Sequence, residues 1–462
     1  MYKSSMFNFV LEDGEELILY NTMSGLSTAC RVSKDNVLKV KNILQLSDTL
    51  VEADESDPII TGLIQKGFLV TNDLDERQNR EALFTELNSG SMLRLIVLPT
   101  EQCNYRCKYC YESFKKGKML PETQEAVVKF IQKNIQRFSG IRLSWFGGEP
   151  LLALDIIESM SVRIMEICKK AKRKYISDIT TNGYLLSLDV FRKLLDLNVI
   201  EYQITIDGPK EIHDAKKPLV NGNGTFDVVT NNIREIKNNV KSAIFSIIIR
   251  SNVTDDALES MDSFTNYFYE MLGDDKRFSF FLRPVGDWGG DNRLSEMTQK
   301  RISKNEISCV YMNFYNTGHP LKVDTHRSFY YPGGCMCYAS FLNSYVIDSL
   351  GNLRKCTCEL DDDEYCIGKL KSNGVMEIDP HKHIRWIGNT TRFSEKCESC
   401  NFSPACFGAC CPKVNIFEKK DNSGNSPIIC PSEKEQILHT LKLIDKSMPF
   451  SFVEQVFQEG MK

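Results

Sequence analysis

Cys103, Cys107 and Cys110 stand in the run CNYRCKYCYE, three thiols spaced x3 and x2 directly after an apolar stretch that reads as a strand. Three thiolates so spaced suit three irons of a [4Fe–4S] cluster and leave the fourth iron open. An open iron binds a substrate or cofactor directly, which makes such a cluster catalytic. The competing chemistry is a structural zinc loop. Zinc asks for paired CxxC units and four closed ligands, and this loop offers no fourth local Cys or His.

Further chemistry-bearing residues follow later apolar stretches: Gly147-Gly148-Glu149-Pro150, Thr181-Asn182-Gly183 and Asp207-Gly208-Pro209. Glycine lets backbone approach a ligand closely, and a carboxylate beside it accepts bonds from an ammonium. Each segment alone also reads as a turn. Together with Tyr109, which completes the form Cx3CxΦC (Φ aromatic), they resemble the radical S-adenosylmethionine (SAM) enzymes. That resemblance implies that Gly147, Gly148 and Glu149 hold the amino group of SAM and that Thr181 lies near its ribose or carboxylate. Tyr109, Asn182 and Asp207 become further SAM-site candidates. Arg250, ending the fifth strand, is a contact to the SAM carboxylate or the substrate, or else a surface cation. The stretch His213-Asp214 through Lys217-Pro218 to Gly222-Asn223-Gly224-Thr225-Phe226 matches a family pattern that usually has Arg where Lys217 stands. A point charge there replaces a rigid fork. The implied chemistry is chelation of SAM by the open iron and one-electron cleavage to methionine and a 5′-deoxyadenosyl radical. That radical takes hydrogen from an unactivated C–H bond.

A second constellation runs Cys337-x13-Gly351-x4-Cys356, Cys397-x2-Cys400-x5-Cys406-x3-Cys410, then Cys430. It is similar to the SPASM pattern, a C-terminal domain with auxiliary [4Fe–4S] clusters; zinc knuckles are the alternative, because Cys397 and Cys400 form a CxxC unit. The resemblance implies a distal cluster on Cys397, Cys400, Cys406 and Cys430, and a nearer one on Cys337, Cys356 and Cys410. Cys335 is the candidate fourth ligand of the nearer cluster, with Cys358 or a substrate thiolate as the other choices. Three [4Fe–4S] clusters and SAM are therefore the expected cofactors.

These residues need a scaffold. Apolar runs at Leu93–Leu98, Ile141–Phe146, Tyr175–Thr180, Ile200–Ile206, Ala243–Ile249 and Phe278–Leu282 alternate with amphipathic stretches such as Glu122–Arg137 and Asp155–Lys172. Such alternation predicts an α/β fold with a parallel sheet whose chemistry sits at the C-terminal strand ends. Six units match the partial (βα)6 barrel of the radical SAM enzymes, expected over residues 91–318. Residues 1–90 read as a separate module: a hairpin, Met6–Leu11 and Glu16–Tyr20 around Asp13-Gly14, then helices over Lys34–Leu46, Pro58–Lys66 and Asp75–Leu87. It resembles the winged-helix leader-recognition element of peptide-modifying enzymes; a generic α/β cap is the alternative. Residues 319–462 read as a turn-rich, cysteine-dense SPASM domain with a helix at Glu433–Lys446.

Composition narrows the class. The 462 residues are 42% hydrophobic and 26% charged, with net charge −4 and a pI near 6.0. No basic stretch interleaved with aromatics points to nucleic acid. No signal peptide core or membrane-length apolar run is present. Seventeen cysteines without an export signal fit metal binding in a cytoplasmic protein better than disulfides. The expected function is radical SAM modification of a ribosomally made precursor peptide, forming an intramolecular thioether or carbon–carbon cross-link. The expected partners are that precursor with its leader and an external one-electron reductant of flavodoxin or ferredoxin type. An anaerobic sulfatase-maturating (formylglycine-forming) enzyme is the alternative. That family carries an Asp, its proposed base, after the cysteine ending Gx4C, where this chain has Thr357. A non-catalytic Fe–S or zinc protein explains the cysteines but not the strand-end motifs.

Overall fold

The computed structural model describes residues 1–45, 50–52, 54, 56–273, 275–285, 322–323, 330–358, 360–387, 395–408, 411–413 and 441. The chain divides into two compact units. One comprises residues 1–89, 325–340 and 388–462; the other comprises residues 90–324 and 341–387.

In the first unit β1 (Tyr2–Ser4) pairs antiparallel with β5 (Leu69–Thr71), and β2 (Asn8–Asp13), β3 (Glu16–Asn21) and β4 (Gly25–Val32) form an antiparallel sheet. The expected hairpin is β2–β3, with Asp13 opposite Glu16 and Gly14 at φ 63° in the turn. The strand β4 was not foreseen in the sequence. The helices are α1 (Val37–Gln45), α2 (Pro58–Gln65) and α3 (Glu76–Ser89). Helix α2 starts where Asp57 accepts from the Ile59 amide and Pro58 takes the first position, where a missing N–H costs nothing.

Strand β3 is buried on both faces. Leu17 and Leu19 pack with Val40, Leu44, Leu63 and Phe68, while Ile18 and Tyr20 pack with Phe9, Tyr330, Phe402, Ala405 and Cys406. The hairpin's second face is therefore covered by the cysteine-bearing segments around residues 330 and 402. Tyr20 Oη donates to the Tyr330 carbonyl at 2.9 Å.

The second unit holds one sheet of eleven strands, in the order β12-β11-β10-β9-β8-β7-β6-β13-β14-β15-β16. Its parallel part comprises β6 (Met92–Thr100), β7 (Gly140–Gly147), β8 (Lys174–Thr181), β9 (Val199–Thr205), β10 (Ser246–Val253), β11 (Phe278–Pro284) and β12 (Lys322–Val323). These match the six expected strands, with the last one added. The connecting helices are α4 (Pro121–Asn134), α5 (Leu154–Ala171), α6 (Leu188–Asp196), α7 (Lys210–Lys216), α8 (Phe226–Asn239), α9 (Asp255–Leu258) and α10 (Met261–Leu272). Strand residues alternate: Leu93, Leu95 and Val97 are buried, as the period of two demands. Helix α4 answers with Ala126, Val127, Phe130 and Ile131.

Beyond residue 319 the sequence reading expected helix–strand alternation to give way to turn-rich chain and named no strands, and the described residues add four after β12. Strand β13 (Ser344–Ile347) adds parallel to β6, and β14 (Asn352–Arg354), β15 (Gly368–Leu370) and β16 (Met376–Ile378) continue antiparallel before α11 (Pro380–Ile387). Strands of three or four residues are too short to show a period. Gly351 of the Gx4C pattern sits in the β13–β14 turn at φ 83°, where Asp348 Oδ1 accepts from the amides of Leu350 and Asn352. Of the expected helix Glu433–Lys446 only Leu441 is described.

Candidate active site

The cysteine loop follows β6 and is closed at its base. Thr100 and Lys118 form an antiparallel bridge, the Glu101 amide bonds the Gly117 carbonyl, and Gln102 Nε2 donates to the carbonyls of Phe114 and Lys116 at 2.6 Å. A second clamp comes from the segment after α7. The amide of Arg106 bonds Pro218, that of Lys108 bonds Lys216, and that of Val220 bonds Asn104. The loop that carries the three thiols is thereby fixed along both sides.

The strand-end motifs bond to one another and to this loop. The two glycines of the GGEP segment make room for backbone, not only for a ligand. A Cβ on Gly147 would lie 2.2 Å from the Thr100 carbonyl oxygen, and one on Gly148 would lie 2.4 Å from that of Gln102. Close packing brings the Glu149 amide to the Gln102 carbonyl at 2.9 Å. The Glu149 carboxylate is fully buried and accepts from Leu151 N, Thr181 Oγ1 and Asn182 N at 2.8–3.0 Å. The sequence reading offered both Glu149 and Thr181 to SAM; the structure commits their polar atoms internally, since Thr181 Oγ1 also accepts from the Gly183 amide.

Asn182 donates to Asn104 Oδ1 at 2.8 Å and approaches Cys103 Sγ at 3.9 Å. The Tyr109 hydroxyl donates to Asp207 and accepts from Asn252 Nδ2 at 3.2 Å, which ties the loop to the ends of β9 and β10. Asp207 also accepts from the Asn252 amide. The amide of Asp207 donates to His213 Nδ1 at 3.3 Å, so His213 presents Nε2–H to Thr225 Oγ1, and Thr225 in turn donates to the Lys217 carbonyl. Asp214 accepts from the Thr225 and Phe226 amides and caps α8. A Cβ on Gly224 would lie 2.4 Å from Asp214 Oδ2. The whole HD…GTF stretch is thus the brace of the cysteine loop. Arg250 was placed at a strand end by the sequence; β10 runs three residues further, and Arg250 pairs laterally with Thr205 and Phe281. Its Nε donates to Asn252, and burial beside Arg283 lowers its pKa.

Burial raises all three thiols: Cys103 strongly, helped by the nearby Glu149 carboxylate, Cys107 as well, and Cys110 to about 12, helped by Glu112. Bare thiolates are therefore disfavoured here, and bound iron would supply the missing positive charge. The Tyr105 amide points at Cys103 Sγ at 3.4 Å, a donor suited to a ligating sulfur. A single zinc ion would ask the three thiols to converge on one point and to find a fourth ligand. A [4Fe–4S] cluster instead gives each cysteine its own iron, and the donor set fits it.

One group escaped the sequence reading. Burial, Glu101 and Asp361 push the Glu112 carboxyl up to about 8. Beside these acids Lys116 bridges Asp348 at 3.1 Å and Glu101 at 3.3 Å. The acid two residues after Cys110 was visible, but its neighbours come from residues 101 and 348–361, far apart in sequence.

The second cysteine set is divided. Cys356 belongs to the second unit, where its sulfur accepts from the Cys358 amide at 3.4 Å. In the first unit the Cys335 amide bonds the Ala405 carbonyl at 2.9 Å. Cys335 and Cys400 pack on the hydrophobic cluster that contains Cys406. Arg80, buried, donates to the Cys397 carbonyl and to Ser403 Oγ. Cys337 is half-buried in this unit. Cys410, Cys430 and the strand-six loop residues Asp287, Trp288 and Asp291 lie outside the described residues. No helix among the described residues is long and apolar enough to cross a membrane.

Residues 97–264 match the model of the Radical SAM superfamily. The cysteine-type anaerobic sulfatase-maturating enzyme of Clostridium perfringens (strain 13 / Type A) is 25% identical over 370 residues, 74% of this chain and 95% of that protein. The radical SAM cyclopropyl synthase TigE of Paramaledivibacter caminithermalis is 24% identical over 307 residues, 58% of this chain and 62% of that protein. Among solved structures, anSMEcpe with bound AdoMet aligns at a TM-score of 0.58 and 21% identity, over 76% of this chain and 94% of that one. Streptococcus suis SuiB bound to S-adenosylmethionine aligns at 0.51 and 16%, over 90% and 97%. At such identities the structural likeness carries the fold. With the family match and the strand-end geometry, residues 97–264 are a radical SAM domain, and the chain is an enzyme that carries it.

Proposed function

We propose that this enzyme matures a ribosomally made precursor peptide, abstracting hydrogen from the core peptide and closing a thioether or carbon–carbon cross-link. The observation that carries this reading is the N-terminal sheet and its helices, which a formylglycine-forming enzyme does not need. The SuiB likeness spans 90% of this chain against 76% for anSMEcpe, and SuiB has been solved bound to its precursor peptide SuiA. Cys103, Cys107 and Cys110 would hold a [4Fe–4S] cluster, which when bound would supply the one-electron reduction that cleaves SAM. Glu149, Asn182, Asp207 and Tyr109 hold the loop against the strand ends. In this reading Cys335, Cys337, Cys356 and Cys410 hold one auxiliary cluster, and Cys397, Cys400, Cys406 and Cys430 the other. Either cluster, when bound, would offer an acceptor for the second electron that cross-linking releases.

The leader binds residues 1–90 by adding a strand to the β2 edge. Asn8 directs its amide to Ser5 and its carbonyl to Asn401 Nδ2, so even-numbered residues of β2 turn their backbone away from β3. A cavity of about 660 Å³ beside this edge is lined by Lys3, Met6, Asn8, Val10, Leu44 and Arg77, among others. Deleting the module is a poor test, because it uncovers Phe402 and Cys406. Val10→Pro removes one edge donor while sparing the β2–β3 ladder. It should weaken precursor binding at least tenfold and leave SAM cleavage without peptide unchanged. Undiminished binding by an otherwise folded variant overturns the recognition role.

The sulfatase-maturase reading rests on the relatives, one of which, from C. perfringens, covers 74% of this chain. Thr357, 8% exposed, stands where that family carries its Asp. Co-expression with a candidate precursor decides between them by mass spectrometry. A product short of two hydrogens whose cysteine resists iodoacetamide supports the thioether; a hydrazide-reactive aldehyde supports formylglycine.

A further inference from the structure

Lys217 is a buried cation that touches no carboxylate directly among the described residues. Its side chain lies in a residue only 4% exposed. Among the described residues its ammonium reaches the Tyr109 hydroxyl at 3.4 Å and faces the rings of Tyr105 and Tyr109 at 6.0 and 5.9 Å. No carboxylate lies within ion-pair distance of it among those residues. Its neighbour Lys216, equally buried, bonds the Thr254 hydroxyl. Leaving an ammonium unpaired in the interior is strongly unfavourable, so such a group persists where a negative partner completes the site.

The surroundings identify that partner. The backbone of Lys216–Val220 runs along the cysteine loop through three amide–carbonyl bonds. The Lys217 carbonyl is held by Thr225 and the Lys217 amide by His213. The Tyr109 hydroxyl that Lys217 reaches belongs to the residue between Cys107 and Cys110 and donates to Asp207. Asp207, one hydroxyl away from the ammonium, is shared by Tyr109 and the Asn252 amide, and Glu149 already accepts three protein bonds. What remains is the group that the thiolates would carry. A [4Fe–4S] cluster on three thiolates is anionic and gains one further negative charge on reduction, and its potential follows nearby charge and hydrogen bonding.

We propose that Lys217 is the built-in counter-charge of the cluster on Cys103, Cys107 and Cys110, and that it raises the reduction potential of that cluster before SAM binds. A low-potential one-electron donor supplies the electron; the ammonium favours the reduced form because that form is more negative. Lys217 is on this account a positioning charge rather than a group that touches the reacting carbon. Arginine would serve the same charge, and the inference does not depend on which peptide is modified. It does rest on the assignment of the three cysteines to a cluster.

The test is a redox titration of the anaerobically reconstituted full-length enzyme without SAM. Paramagnetic resonance follows the cluster whose signal changes when SAM is later added. Lys217→Gln keeps a donor for Tyr109 and Lys217→Met keeps the length; both remove the charge. Each should lower the reduced-to-oxidised ratio at fixed poise about tenfold, which is about 59 mV for a one-electron couple, while Lys217→Arg stays within about twofold. Iron loss in both neutral variants with retention in Lys217→Arg also supports the pairing. Unchanged potentials in loaded neutral variants overturn it, as does weakened SAM binding with no change in the SAM-free potential. Loss of iron in all three variants assigns Lys217 to folding and also overturns it. A wild-type protein that takes up no SAM-sensitive cluster fails the cluster assignment itself, a distinguishable result.

Discussion

The two cysteine-bearing regions are built on opposite plans. Around Cys103, Cys107 and Cys110 nearly every motif side chain bonds another: Glu149 to Thr181, Asn182 to Asn104, Tyr109 to Asp207, and His213 through Thr225 to Lys217. The loop is held before any ligand arrives. Around Cys335, Cys400 and Cys406 the described residues show a hydrophobic cluster, backbone turns, Arg80 and the side chains of Thr22 and Asn401. A catalytic cluster must sit still against SAM, and preorganisation supplies that. Metal ligated by the cysteines would add order to a segment that rests largely on packing.

The largest effect that separates the two regions comes from the ligands. Cys107→Ala should abolish SAM cleavage, a loss of more than about 10³-fold, and leave the melting temperature of the metal-free protein nearly unchanged, because the loop is braced independently. Cys406→Ala should spare SAM cleavage without peptide but end peptide turnover, and it should lower melting, since Cys406 lies in the core of its unit. Equal thermal loss in both variants, read by calorimetry on metal-free protein, would erase the contrast.

The brace also predicts a pH response. His213 is buried, and desolvation together with Lys217 lowers its pKa from an ordinary 6.5 to about 4, against the opposing charges of Asp207 and Asp214. The unfolded chain therefore binds a proton that the native chain refuses between those values. Stability from this residue is complete above pH 6.5 and is lost as pH falls toward 4, by roughly 3 kcal/mol. Protonation would place a second N–H against the Asp207 amide. His213→Gln should flatten this limb of a denaturation-versus-pH curve; an unaltered slope counts against the role given to the ring.

Smaller again is Glu149→Gln. One carboxylate oxygen becomes an NH2 facing donors, so the change should cost about 1–3 kcal/mol and loosen the β7–β8 junction. The prediction bears on how the sequence was legible. The strand ends, the Cx3CxΦC loop and the hairpin were readable because periodicity and motif spacing are local properties. The reason for GGEP was not. Its glycines answer the Thr100 and Gln102 carbonyls, and its carboxylate answers Thr181 and Asn182, partners that only the parallel sheet brings together. Strands β13–β16 escaped for a different cause, being too short to announce a period. The pairing of Cys335 with the Cys400–Cys406 segment depends on long-range packing that no spacing encodes.

The mildest perturbation falls on the less braced region, where the contrast is sharpest to measure. Arg80 is 3% exposed and projects from α3 to the Cys397 carbonyl at 3.3 Å and Ser403 Oγ at 2.9 Å. These two bonds fix the turn that carries the CxxC pair. Glu81 shares the guanidinium at 2.9 Å, but it is part-exposed, so that ion pair adds little. Arg80→Met keeps most of the buried stem and removes both turn bonds, which should cost about 1–2 kcal/mol in metal-free protein. Once the cysteines hold iron, ligation fixes the same turn, and the penalty should shrink toward zero. A variant equally destabilised with and without metal would mean that the turn is set by the protein alone, and the two regions would then differ in degree rather than in plan.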